Sequence, residues 1–181
     1  MFEAGYLNAH GLSGPLNIRE SASTQSAIVT RVLAGTLQRN AGCAKQDDRD
    51  GCEIECLDAS GTRGWAAAEY LQPAPATMRA QNGRFDNIGR LSCRIGATQE
   101  AQDCGFGIAR DGNQSAIPVV FKPDGFERVV HFANGAMSYA KLDETDAPTL
   151  MESSVSDGMM HIRISDEHYA IAAHVVGGNG Q

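Results

Sequence analysis

The chain has 181 residues, and its 15 Lys+Arg against 22 Asp+Glu leave a formal charge of −7. Only three lysines, Lys45, Lys122 and Lys141, are present, so the concentrated basic surface that nucleic-acid binding requires is missing. An apolar share of 42% beside 20% charged residues supports a folded core in one domain or two small ones, and no run approaches the roughly 18 apolar residues of a membrane-spanning helix.

The opening Met1-Phe2-Glu3-Ala4-Gly5-Tyr6 has no basic stretch followed by an apolar one and reads as the start of a mature domain. The cysteines described below raise the expectation of a natural precursor with a signal peptide. Short apolar segments then follow at residues 16–19, 27–33, 36–41, 52–57 and 64–71, separated by small polar stretches. They are too short for helices and too regularly punctuated for one long element, which predicts a small barrel of strands. Leu37, Ala41 and Cys43 alternate toward one face, with Arg39 interrupting, and Cys52, Ile54 and Cys56 do the same on the next strand. The polar run 44–51 between them is predicted as an exposed hairpin tip.

A break falls at Gln72-Pro73-Ala74-Pro75-Ala76-Thr77. Two prolines among small residues oppose both a strand ladder and a helix interior, so a short stiff linker is expected there. It divides the chain into residues 1–76, including an N-terminal extension, and residues 77–181. In the second part, 117–121 and 127–132 flank Lys122-Pro123-Asp124-Gly125-Phe126, a turn signal between apolar runs. Further runs at 150–155, 159–164 and 169–173 alternate around Asp157-Gly158 and the polar 165–168. The fold class is therefore all-β: a small barrel followed by an antiparallel meander closed as a sandwich or open barrel. The glycine-rich end, 177–181, is expected to fray.

Five cysteines, Cys43, Cys52, Cys56, Cys93 and Cys104, lack the paired CxxC spacing of a zinc site and fit local disulfides in an oxidising compartment. Antiparallel strands place Cys43 opposite Cys52, with Cys56 about 13 Å further along the strand. Cys43–Cys52 and Cys93–Cys104 are the expected pairs, leaving Cys56 free, and a Cys43–Cys56 bridge across a longer loop is the open alternative.

Leu16-Asn17-Ile18-Arg19, then Ser23-Thr24, Ile28-Val29, Leu33 and Gly35, and finally Gly64-Trp65 with Tyr70-Leu71, together resemble the bacterial SH3 (SH3b) family over residues 16–71. That resemblance implies an SH3-like barrel serving as a targeting or binding module in envelope and secreted proteins. The second part loosely resembles the β domain that follows SH3b in some proteobacterial envelope proteins. The same residues have a plain physical reading. Asn17 and Arg19 point to one face of a strand while Leu16 and Ile18 point to the other, and Trp65 offers a large area for closing the barrel core, its edge being the part open to a ligand. The Tyr70 hydroxyl needs water or a partner.

Catalytic signals are weak. Asp48, Asp50 and Gly51 suggest a calcium loop, but Gln46 and Leu57 stand where ligands are required. Asp143, Glu144 and Asp146 read as a solvated acidic loop whose oxygens would also suit a hard cation. His10, His131, His161, His168 and His174 have no metal-ligand spacing, although His161 and His168 belong to adjacent strands of one hairpin. Gly105-Phe106-Gly107 reads as a turn beside Cys104, and no GxSxG elbow is present. The expectation is a noncatalytic, cofactor-free and metal-free module of the periplasm or exterior, binding cell-wall peptide or an envelope protein through Asn17, Arg19, Trp65 and Tyr70. The alternatives are a secreted inhibitor or immunity-like protein using loop 94–103, and a hydrolase with an unrecognised site.

Overall fold

The computed structural model describes residues 5–46, 49–96, 100–112, 114–140 and 150–177. The chain divides into two compact units, Met1–Ala74 and Pro75–Gln181, each built on one antiparallel sheet. In the first unit the strands are β1 (Tyr6–Ala9), β2 (Leu16–Arg19), β3 (Ile28–Val32), β4 (Leu37–Gln46), β5 (Arg49–Cys56), β6 (Arg63–Ala67) and β7 (Leu71–Pro73). Their spatial order is β3-β2-β6-β5-β4-β1-β7. Leu7, Ile18, Ile54 and Leu71 share one buried cluster with Val32. Val32 and Leu71 stand on the two edge strands, and a flat sheet could not bring them into one core. The sheet therefore coils around its own apolar face, nearly closing as a barrel.

Three sequence expectations change here. The supposed N-terminal extension is β1, which pairs with both β4 and β7 and buries Leu7 completely. Alternation along β4 also fails at Ala41, which is exposed. A bulge between Asn40 and Gly42 inserts one extra residue, so Gln38 and Asn40 oppose Cys56 and Ile54, and Cys43 then opposes Cys52. One added residue reverses strand parity, and Gly42 supports the bulge at φ +133°, a setting that disfavours side chains. Finally, the boundary between the two units falls within 72–77, but this stretch is the end of a strand and the start of a helix and not a linker. Pro73 ends β7 opposite Leu7 at the sheet edge, where a missing N–H costs no ladder bond. Pro75 caps α1 (Ala76–Gln81), whose Ala76 and Ala80 are buried and whose Ala76 N–H donates to Asp111 Oδ1 at 2.6 Å.

The Cys43–Cys52 and Cys93–Cys104 pairs both lie at disulfide distance, and Cys56 is a buried free thiol. Burial raises the Cys56 thiol above its ordinary value, with the charge of Asp58 acting in the same direction. Cys56 is therefore expected to stay unmodified by a thiol reagent in the native protein and to react once the first unit unfolds. Counting thiols in denaturant without reductant should give one per chain; a count of three would contradict this pairing.

The second unit contains β8 (Asn87–Arg94), β9 (Gln102–Gly112), β10 (Ser115–Phe121), β11 (Glu127–Ala133), β12 (Ala136–Ala140), β13 (Met151–Ser156), β14 (Met159–Ile164) and β15 (Glu167–Ala172), then a short α2 (Ala173–Gly177). Their order is β12-β11-β10-β9-β8-β15-β14-β13. The Pro-Asp-Gly turn forms with Lys122 N–H donating to the Phe126 carbonyl at 2.9 Å, and Asp157 and Gly158, both at positive φ, make the two-residue turn between β13 and β14. Gly105-Phe106-Gly107 is not a turn. It lies inside β9, where a Cβ on Gly107 would run into the Phe85 ring, so glycine makes room for an aromatic lid.

Inside this unit, Leu91, Phe106, Val130 and Ile162 share the main core. At one end of it, Glu167 accepts hydrogen bonds from Arg128 Nε at 2.6 Å, Tyr169 Oη at 2.7 Å and Lys122 Nζ at 3.1 Å, all from buried groups. Burial alone would raise the Glu167 carboxyl, but these donors and the Arg128 charge outweigh it and hold it below the usual carboxylate range. Burial, and then the neighbouring carboxylate, push the Tyr169 hydroxyl far up, so it stays a donor. Sequence reading singled out none of these four residues, because their partners lie up to 45 positions apart.

Candidate functional site

Asn17, Arg19, Trp65 and Tyr70 line one cleft of about 460 Å³ in the first unit. Strand parity explains why. On β2, Leu16 and Ile18 face the core, so Asn17 and Arg19 face out; on β6, Gly64 and Ala66 face in, so Trp65 faces out. Arg19 and Trp65 are directly opposite each other across the β2–β6 ladder. Tyr70 ends the single helical turn Ala68–Tyr70 after β6 and packs partly against the core.

This corrects the core role read for Trp65. The indole is half-buried on the cleft wall and takes no place in the apolar cluster, where the small Ala66 fills the neighbouring inward position. Gly64 is what permits the close approach of β2: a Cβ there would lie 2.6 Å from the Arg19 carbonyl and 2.8 Å from Ile18 Cγ2. Gly51 similarly leaves the Trp65 ring in van der Waals contact, at 3.4 Å from an added Cβ.

Hydrogen bonds hold part of the wall in place. Arg31 Nε donates to Asn17 Oδ1 at 2.9 Å, which engages the oxygen of that amide and leaves its nitrogen as the donor end. Arg19 Nη1 donates to the Ser26 carbonyl at 2.7 Å. The Ser26 hydroxyl in turn lies 3.0 Å from the carbonyls of Ser21 and Ser23, stapling the loop that forms one lip. Arg49 is ion-paired with Glu69, whereas Asp50, also in the cleft, has no ion pair among the described residues. The wall thus offers two aromatic surfaces, N–H donors from Asn17 and Arg19, and one carboxylate acceptor.

The other candidates fall elsewhere. His161 and His168 lie on β14 and β15 of the second unit and line a separate cleft with Arg94 and Arg163. Among the described residues, no three His, Cys, Asp or Glu side chains group to hold a metal ion. Asp48, residues 97–99 of the 94–103 loop, the acidic trio Asp143, Glu144 and Asp146, and residues 178–181 lie outside the described residues. Among the described residues no helix is long and apolar enough to cross a membrane, and two disulfides are compatible with an oxidising location. Comparison of the chain with family models, curated proteins and solved structures found no match.

Proposed function

We propose that residues 16–71 form an SH3b-like module that recognises a peptide without chemically changing it, in the bacterial periplasm or outside the cell. The ligand is a cell-wall peptide or a segment of an envelope protein. The observation that carries this reading is the convergence of Asn17, Arg19, Trp65 and Tyr70 on one cleft, with the half-buried indole on its wall and outside the apolar core cluster. A short peptide presents alternating carbonyl and N–H groups and, at its ends, a carboxylate and an ammonium. Arg19 and Asn17 suit the acceptors, Asp50 suits the ammonium, and Trp65 and Tyr70 suit side chains laid between them. The cleft is shallow and solvent-open, so the expected affinity is micromolar to millimolar.

Trp65 is the chain's only tryptophan, which makes its fluorescence a direct reporter of this cleft. Titration of the full chain with muropeptides and with envelope-protein peptides should change its emission saturably. Tyr70→Ala is expected to weaken binding about tenfold, or 1.4 kcal/mol. Unchanged affinity in that variant would remove the cleft as the binding surface, and appearance of a cleaved peptide would overturn the noncatalytic reading.

A further inference from the structure

The outer face of the second unit's sheet carries a second constellation of polar side chains. Strand register aligns Arg94 on β8 with His168 on β15, His168 with Arg163 on β14, and Arg163 with Glu152 on β13. The next row on the same face holds Ser92, Ala170, His161 and Ser154. Both rows line a cleft of about 580 Å³. Neighbouring strands lie about 4.8 Å apart, so Arg94 and Arg163 start about 10 Å apart and flank His168. Side chains leaning over the imidazole can close that gap on a shared ligand.

Arg94 and Arg163 stand two strands apart with only His168 between them, so no side chain of the row separates the two cations with a negative charge. Most other described cations of the unit are engaged, Arg84 being the exception: Arg79 pairs with Asp86, Arg90 with Asp103, and Lys122 and Arg128 with Glu167, while Arg110 donates to the Val175 carbonyl. Arg94 and Arg163 have no ion pair among the described residues, and Glu152, although opposite Arg163, makes none with it. The floor is rigid. Cys93, between Ser92 and Arg94, is bridged to Cys104, and the alternate residues Ile162 and Tyr169 are buried on the other side of the sheet.

We propose that this face binds an oxyanion, a small ligand bearing a phosphate, sulfate or carboxylate group, gripped by Arg94 and Arg163 with His168, His161 and the Ser92 and Ser154 hydroxyls as further donors. Guanidinium forks match two oxygens of such a group, and serine O–H and imidazole N–H groups complete its shell.

The test uses the full chain with inorganic phosphate, sulfate and succinate as probes, read by the ring resonances of His161 and His168 and by calorimetry. Saturable shifts of both histidines are expected with at least one probe, and the tightest of the three identifies the oxyanion class. R94Q/R163Q should weaken that binding at least tenfold. E152Q, which removes the one carboxylate of the row, should strengthen it two- to threefold. R39Q/K45Q, which removes two exposed charges from the first unit, should leave it unchanged. Absence of saturable histidine shifts with all three probes, or equal loss in R39Q/K45Q and R94Q/R163Q, would overturn the site.

Discussion

Glu167→Gln is expected to destabilise the second unit by about 3–5 kcal/mol, the largest effect of any single substitution considered, because it removes the carboxylate that buried Arg128 and Lys122 share. The amide fills nearly the same space, so the loss is electrostatic and not a cavity. Its pH dependence has a definite sign. Folded Glu167 titrates below the ordinary carboxylate value, so its contribution is complete above about pH 4.3, the unfolded value, and disappears as pH falls through the lower folded value. The stability gap between wild type and E167Q should therefore be widest near neutrality and shrink in acid. Urea unfolding followed by circular dichroism measures it, while Trp65 fluorescence follows the first unit and should not move. A gap below 1 kcal/mol at pH 7, or one that stays constant into acid, would show that the network is not the anchor described here.

Loss of the Cys93–Cys104 bridge should cost about 3 kcal/mol, the chain-entropy value for a loop of this size, its ends being separated by 11 positions. Both cysteines are buried, so the alanine pair C93A/C104A also leaves a small void in the main core. The bridge joins β8 to β9 directly beneath the Arg94 and Ser92 positions. The same variant is therefore expected to weaken oxyanion binding as well as lower the unfolding midpoint of the second unit. The readouts are a urea transition and the histidine titration. An unaltered midpoint would mean that the paired strands hold this part of the sheet without the crosslink.

These expectations draw on different levels of the chain. Local signals in the sequence were enough for the all-β class: short alternating runs, Pro-Asp-Gly and Asp-Gly turns, and cysteines placed so that Cys43 meets Cys52 across a hairpin. They also separated Asn17 and Arg19 from Leu16 and Ile18, since parity within a four-residue strand is a local property. Parity over a longer strand was not legible. The bulge at Ala41 is stabilised by pairing with β5, and nothing in the spacing of Leu37, Ala41 and Cys43 announces an extra residue.

The sequence by itself determined the strand-rich architecture, the Pro-Asp-Gly and Asp-Gly turns, and the aromatic and polar residues available to a binding surface. Only the tertiary structure decided which of them meet. Trp65 faces the cleft because the inward positions beside it go to Gly64 and Ala66, allowing β2 to pack close. Pro73 and Pro75 fit a strand edge and a helix start because β1 and Asp111 lie where those segments need partners. Arg94, His168 and Arg163 align because β15 pairs with β8 although β9 to β14 lie between them in the chain. Contacts of this kind depend on register between segments distant in the chain, and composition and local periodicity carry no record of that register.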